Sequence, residues 1–115
     1  MSNYKEKRPW GEFENLLEES FTKVKKITIL PNERPSYQYH DKRSEIWSIV
    51  KGSGIATLNE NIIEVKAGDV IEVPLGCRHR IENTSDHEEL IFIEVQHGTY
   101  FGEDDIVRIE DDYDR

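Results

Sequence analysis

The stretch Gly68-Asp69-Val70-Ile71-Glu72-Val73-Pro74-Leu75-Gly76-Cys77-Arg78-His79-Arg80-Ile81-Glu82-Asn83 decides how the chain folds. Val70 to Val73 reads as a short strand, and Pro74-Leu75-Gly76 as a tight turn with a preset φ and a flexible third residue. A second strand then starts at His79. Because alternate strand residues share a face, His79 and Ile81 point one way and Arg80 the other. Working outward, β-rich runs cover residues 12–17, 21–30, 36–40, 45–51, 54–58, 62–65, 70–73, 79–83 and 89–96. Pro31-Asn32, Lys51-Gly52, Asn59-Glu60-Asn61 and Ala67-Gly68-Asp69 supply turn chemistry between them. So many short strands predict a sandwich or barrel. Residues 14–20 and the stretch after Gly102 are expected to form short helical turns.

Several polar residues sit inside this β pattern. Gln38 and His40 are two apart and share a face. Glu45 shares its face with Trp47 and Ile49, and His79 shares its own with Ile81. If these faces line one interior, an amide oxygen, two imidazoles and a carboxylate converge among apolar side chains. Buried polar groups need partners, and one divalent cation satisfies all four. A set of two nitrogens and two oxygens accepts iron, manganese, cobalt or nickel as well as zinc.

The spacing of these residues resembles the two cupin motifs. Gly68, Pro74, Gly76, His79 and Asn83 stand at every position of the second motif, and Glu45 and Gly52 match the end of the first. Asn32 stands where the first motif opens with Gly, and Asn tolerates the left-handed conformation required there. Gln38 stands where that motif has the first His of His-x-His. More closely, the chain is similar to the C-terminal cupin domain of type II phosphomannose isomerases. That similarity is carried by Arg8-Pro9-Trp10-Gly11, Gln38-Tyr39-His40, Arg43-Ser44-Glu45-Ile46-Trp47, the run from Pro74 to Asn83, Ile93-Glu94-Val95-Gln96 and Gly102 to Arg108. It implies an all-β cupin, a double-stranded β-helix of jelly-roll type, as one domain over residues 1–115. It also implies a metal, normally zinc, on Gln38, His40, Glu45 and His79.

The expected activity is a metal-dependent aldose–ketose isomerase interconverting mannose 6-phosphate and fructose 6-phosphate. The alternatives are a cupin enzyme acting on another sugar and a non-catalytic sugar-binding module. Glu94, on the face of Phe92 and Gln96, is the candidate base that moves the proton between C1 and C2. Arg43, joined by Lys23 or Lys25, is the candidate cation for a phosphate, and Gln96 a further substrate contact. The family's additional histidines are replaced by Asp41, Lys42 and Ile46, which bears on the substrate. A nucleotidyltransferase domain, which often precedes such a cupin, is not among these residues, and guanylyl transfer is not expected of them.

With 24 acidic and 15 basic residues the net charge is -9, which argues against nucleic acid, whose binding rests on neutralised phosphates. A local basic cluster inside a cleft still suits a small anion. No apolar run is long enough to span a bilayer, the first residues lack a signal-peptide core, and the single Cys77 has no partner for an internal disulfide. A cytoplasmic protein is expected. Seven acidic residues and two arginines between Glu103 and Arg115 read as a solvated acidic segment. Ile46 and Val50 are apolar on the face opposite Trp47, which predicts a homodimer contact.

Overall fold

The computed structural model describes residues 3–113, with Glu103 described by its backbone only. Eleven strands follow one another as β1 (Lys5–Arg8), β2 (Gly11–Glu18), β3 (Thr22–Ile29), β4 (Tyr37–His40), β5 (Arg43–Lys51), β6 (Ser53–Leu58), β7 (Asn61–Lys66), β8 (Val70–Val73), β9 (His79–Glu82), β10 (Leu90–Gly98) and β11 (Ile106–Glu110). They form two antiparallel sheets, ordered β1-β2-β3-β10-β5-β8 and β11-β4-β9-β6-β7. All nine expected strands are present, with ends that differ by at most two residues.

Turn chemistry sets the connections. Asn32 adopts φ 61°, the left-handed conformation expected of it at the motif's Gly position. Asn59 and Glu60 both have positive φ between the paired residues Leu58 and Asn61, the geometry of a two-residue primed hairpin turn.

Alternation sorts the side chains. On β5 the residues Arg43, Glu45, Trp47 and Ile49 are buried, while Ile46 and Val50 are exposed. On β10 the residues Leu90, Phe92, Glu94 and Gln96 point inward. Register then stacks them in layers: Phe92 lies between Ile27 and Ile49, Glu94 between Lys25 and Trp47, and Gln96 between Lys23 and Glu45. The barrel is therefore apolar at one end and becomes polar and charged toward the other. The apolar end is closed by Ile29, Ile49, Ala56, Leu90 and Phe92. Each large apolar side chain removed from water there contributes about 1.5–3 kcal/mol.

Two expectations are corrected. Residues 14–20 are not helical: β2 continues to Glu18, because β3 offers its whole edge as a pairing partner and takes up an irregularity between Asn15 and Leu17. After Gly102 a 3₁₀ turn, Glu103–Asp105, does form, but it leads into strand β11. The acidic segment is thus not a solvated tail as far as Tyr113, and its last two residues lie outside the described ones. β11 pairs with β4, and its carboxylates find fixed cations. Arg34 donates to Asp112 at 2.7 Å and Arg80 to Glu110 at 3.3 Å. Arg80 does point away from His79, as alternation requires, yet it is buried beneath β11. Its Nε donates to the Pro35 carbonyl.

Candidate metal centre

β4, β5 and β9 bring His40, Glu45 and His79 into one buried chamber. One ligand atom from each residue lies within 4.8 Å of the others. His40 Nε2 is 3.3 Å from Glu45 Oε2, and His79 Nε2 is 3.9 Å from Glu45 Oε1. Ligands placed around an ion at zinc distances stand roughly 3.4 Å apart, so the cluster needs only small closure to hold one. Gln38 lines the same chamber, opposite His79 in the β4–β9 pairing.

Hydrogen bonds fix the protonation of this set. A carbonyl can only accept, so His79 Nδ1 carries the proton that meets the Cys77 carbonyl at 3.0 Å, and the Nε2 lone pair is turned toward Glu45. This carbonyl-oriented tautomer is the one metal-ligating histidines use. Arg43 can only donate, so its Nη2, 3.1 Å away, meets a bare His40 Nε2. The proton of that ring then sits on Nδ1, which is buried without a partner. Glu45 accepts from Trp47 Nε1 at 2.9 Å and from Arg43 Nε at 3.2 Å.

Electrostatics point the same way. Burial, reinforced by the positive charge of Arg43, holds His40 down at about 2, and burial lowers His79 as well. Both rings are neutral at physiological pH, as a metal ligand must be. Two bare Nε2 atoms beside a buried carboxylate are the donor set a divalent cation takes.

Around this set lie the other expected residues. Glu94 does face inward and is pushed up to about 7, first by burial and then by repulsion from Glu45. Lys25 is buried beside it, with its Nζ 4.2 Å from the centre of the Phe13 ring. Arg43 lines the chamber, although its guanidinium is engaged by Glu45, His40 and the Phe101 carbonyl. Gln96, expected at a ligand, is fully buried and donates to Glu94. Sequence reasoning missed Arg8 and Arg108, which come to the outer cleft from the two strands it did not recognise. Cys77 is buried in the turn before His79, where burial pushes its thiol up.

A double-stranded β-helix with a His/Glu/His cluster inside defines a cupin. A solved relative in shape, an uncharacterized conserved protein with a double-stranded β-helix domain from Klebsiella pneumoniae, superposes with a TM-score of 0.74 at 21% identity, over 84% of this chain and 82% of that one. Within that class, residues 2–111 match the family model described as Mannose-6-phosphate isomerase C-terminal, and the chain belongs to that family. It is 40% identical over 108 residues to xanthan biosynthesis protein XanB of Xanthomonas campestris pv. campestris, and 39% identical to mannose-1-phosphate guanylyltransferase ManC of Salmonella typhimurium. Each alignment covers 94% of this chain but only 23% and 22% of the relative, so the chain spans less than a quarter of their length.

These relatives correct the expected activity. Several carry the name mannose-1-phosphate guanylyltransferase, a nucleotidyl transfer, so the reading of the chain as a mannose 6-phosphate/fructose 6-phosphate isomerase is overturned. The role of Glu94 as base in that reaction goes with it. Among the described residues, no helix is long and apolar enough to cross a membrane.

Proposed function

We propose that this chain is a metal-centred cupin that binds a phosphorylated sugar, the ligand-holding part of a guanylyltransferase-type protein acting on a sugar 1-phosphate. The observation that carries the reading is a pair of adjoining cavities that share part of their lining. The inner chamber, about 70 Å³, holds His40, Glu45 and His79. The outer cleft, about 80 Å³, shares Trp10, Gln38, Arg43 and Glu94 with it and opens to solvent. A sugar entering there meets cations first and the ligand cluster last.

Gln38, His40, Glu45 and His79 would hold the ion, with zinc the metal that the family likeness implies and the donor set accepts. When bound, the ion supplies a Lewis acid for sugar hydroxyl oxygens. This chain's own residues do the rest. His79 is oriented by the Cys77 carbonyl, Glu45 is oriented by Trp47, and the Trp10, Ile27 and Ile81 walls keep water out. The names of the relatives support a phosphorylated sugar as the ligand class. A homodimer through the outer face of β5 and β10, where Ile46, Val50 and Val95 are exposed, completes the reading. Sedimentation giving only a 13.5 kDa species argues against that contact.

Calorimetry with zinc-loaded and EDTA-treated protein tests the binding. Mannose 1-phosphate binds the loaded protein and unphosphorylated mannose binds far more weakly. Absence of heat with every hexose phosphate tried at millimolar concentration defeats the proposal.

A further inference from the structure

The outer cleft gathers more positive charge than an acidic protein has reason to place in one spot. Arg8 from β1, Lys25 from β3, Arg43 from β5 and Arg108 from β11 all line it, and Glu94 is the one acid among the lining residues. The chain as a whole carries -9. Four cations drawn from four strands and both sheets repel one another in a partly dry cleft, and a bound anion relieves that repulsion.

Three of the four are not consumed by the metal cluster. Arg8 and Lys25 both lie near the Phe13 ring, at 5.6 and 4.2 Å from its centre. Arg8 is also paired with Glu6, which shares the less exposed face of β1 with it. Arg108 is half-exposed, and its nearest acid, Asp111, is at 3.9 Å. Register puts Arg108 opposite Gln38, so it sits directly outside the innermost residues. The cleft's about 80 Å³ corresponds to roughly five to eight waters, room for a single phosphoryl group.

We propose that Arg8, Lys25 and Arg108 form a phosphate-monoester subsite at the cleft mouth, so that a sugar phosphate enters with its phosphoryl group outward and its hydroxyls toward His40, Glu45 and His79. The inference rests on the sugar-phosphate reading above and adds the position of the phosphate and the residues that select it. Two guanidiniums offer forked donors to a dianion, and Lys25 adds a compact charge.

Inorganic phosphate is the probe, titrated calorimetrically into zinc-loaded and EDTA-treated protein at low ionic strength. The subsite predicts phosphate binding in both forms, weakened roughly tenfold or more in R8Q and again in R108Q, with zinc content unchanged in either variant. Arg108 is half-exposed, so R108Q keeps the test decisive if R8Q or K25M fails to fold. H79A separates the two readings: it loses zinc yet keeps phosphate. Phosphate affinity equal to wild type in both R8Q and R108Q overturns the subsite. Phosphate binding that vanishes with EDTA also overturns it, because the anion then sits on the metal.

Discussion

Replacing Glu94 with Gln isolates the titration of one buried carboxyl. Glu94 is held at about 7 against an ordinary 4.5, and His40 at about 2 against an ordinary 6.5. The two act in opposite directions as acid is added. A depressed histidine takes its proton first in the unfolded chain, so its stability is lost as pH falls below 6.5. A raised carboxyl takes its proton first in the folded chain, so its stability grows as pH falls from 7 toward 4.5. Integrated between pH 6.5 and 4.5, the loss from His40 and the gain from Glu94 are each about 2 kcal/mol and largely cancel. Burial of His79 adds to the loss. A Gln keeps the bond from Gln96 but carries no proton to titrate. Metal-free E94Q is therefore the more stable protein near neutrality, and its advantage narrows by about 2 kcal/mol as pH falls to 4.5. Urea unfolding of EDTA-treated protein, followed through Trp10 and Trp47, reads both curves. A stability gap that stays constant from pH 6.5 to 4.5 refutes the reasoning.

Other substitutions probe separate parts of the account. G54A places a Cβ 2.1 Å from the Glu82 carbonyl, on the neighbouring strand of a hydrogen-bonded pair, and should cost about 2 kcal/mol or more in thermal unfolding. W47F removes the donor that holds Glu45 Oε1, and zinc affinity measured by chelator competition should fall roughly 10–100-fold with the fold retained. R80M frees the Pro35 and Glu110 carbonyls, and should speed amide exchange in β11 while costing about 1–3 kcal/mol. Unchanged exchange in β11 counts against the clamp.

Much of the barrel was legible because its inner strands obey simple alternation. Arg43, Glu45, Trp47 and Ile49 occupy one face of β5, and their burial follows from the spacing alone. The same rule put His79 with Ile81 and Gln38 with His40. The motif spacing around Pro74 and Gly76 placed the turn that delivers His79. What the sequence hid were the edges. Lys5–Arg8 is wholly charged and Ile106–Glu110 lies inside the acidic run from Glu103, so neither was read as a strand. They become strands because β2 and β4 leave an edge open, and because Arg34 and Arg80 wait for the carboxylates that follow. The cationic cleft was hidden with them, since Arg8 and Arg108 belong to those two strands. The facing of Glu94 was undecidable from one strand alone. It was settled by the two strands that flank β10, with Lys25 on one side and Trp47 on the other.

Elemental analysis of purified wild type, H40A and H79A tests the centre most directly. The account predicts one divalent ion per wild-type chain, zinc foremost, and almost none in either variant while both keep the β-rich circular dichroism of the parent. Wild-type protein that takes up no divalent metal even after incubation with excess zinc, or variants that retain a full equivalent, would contradict it.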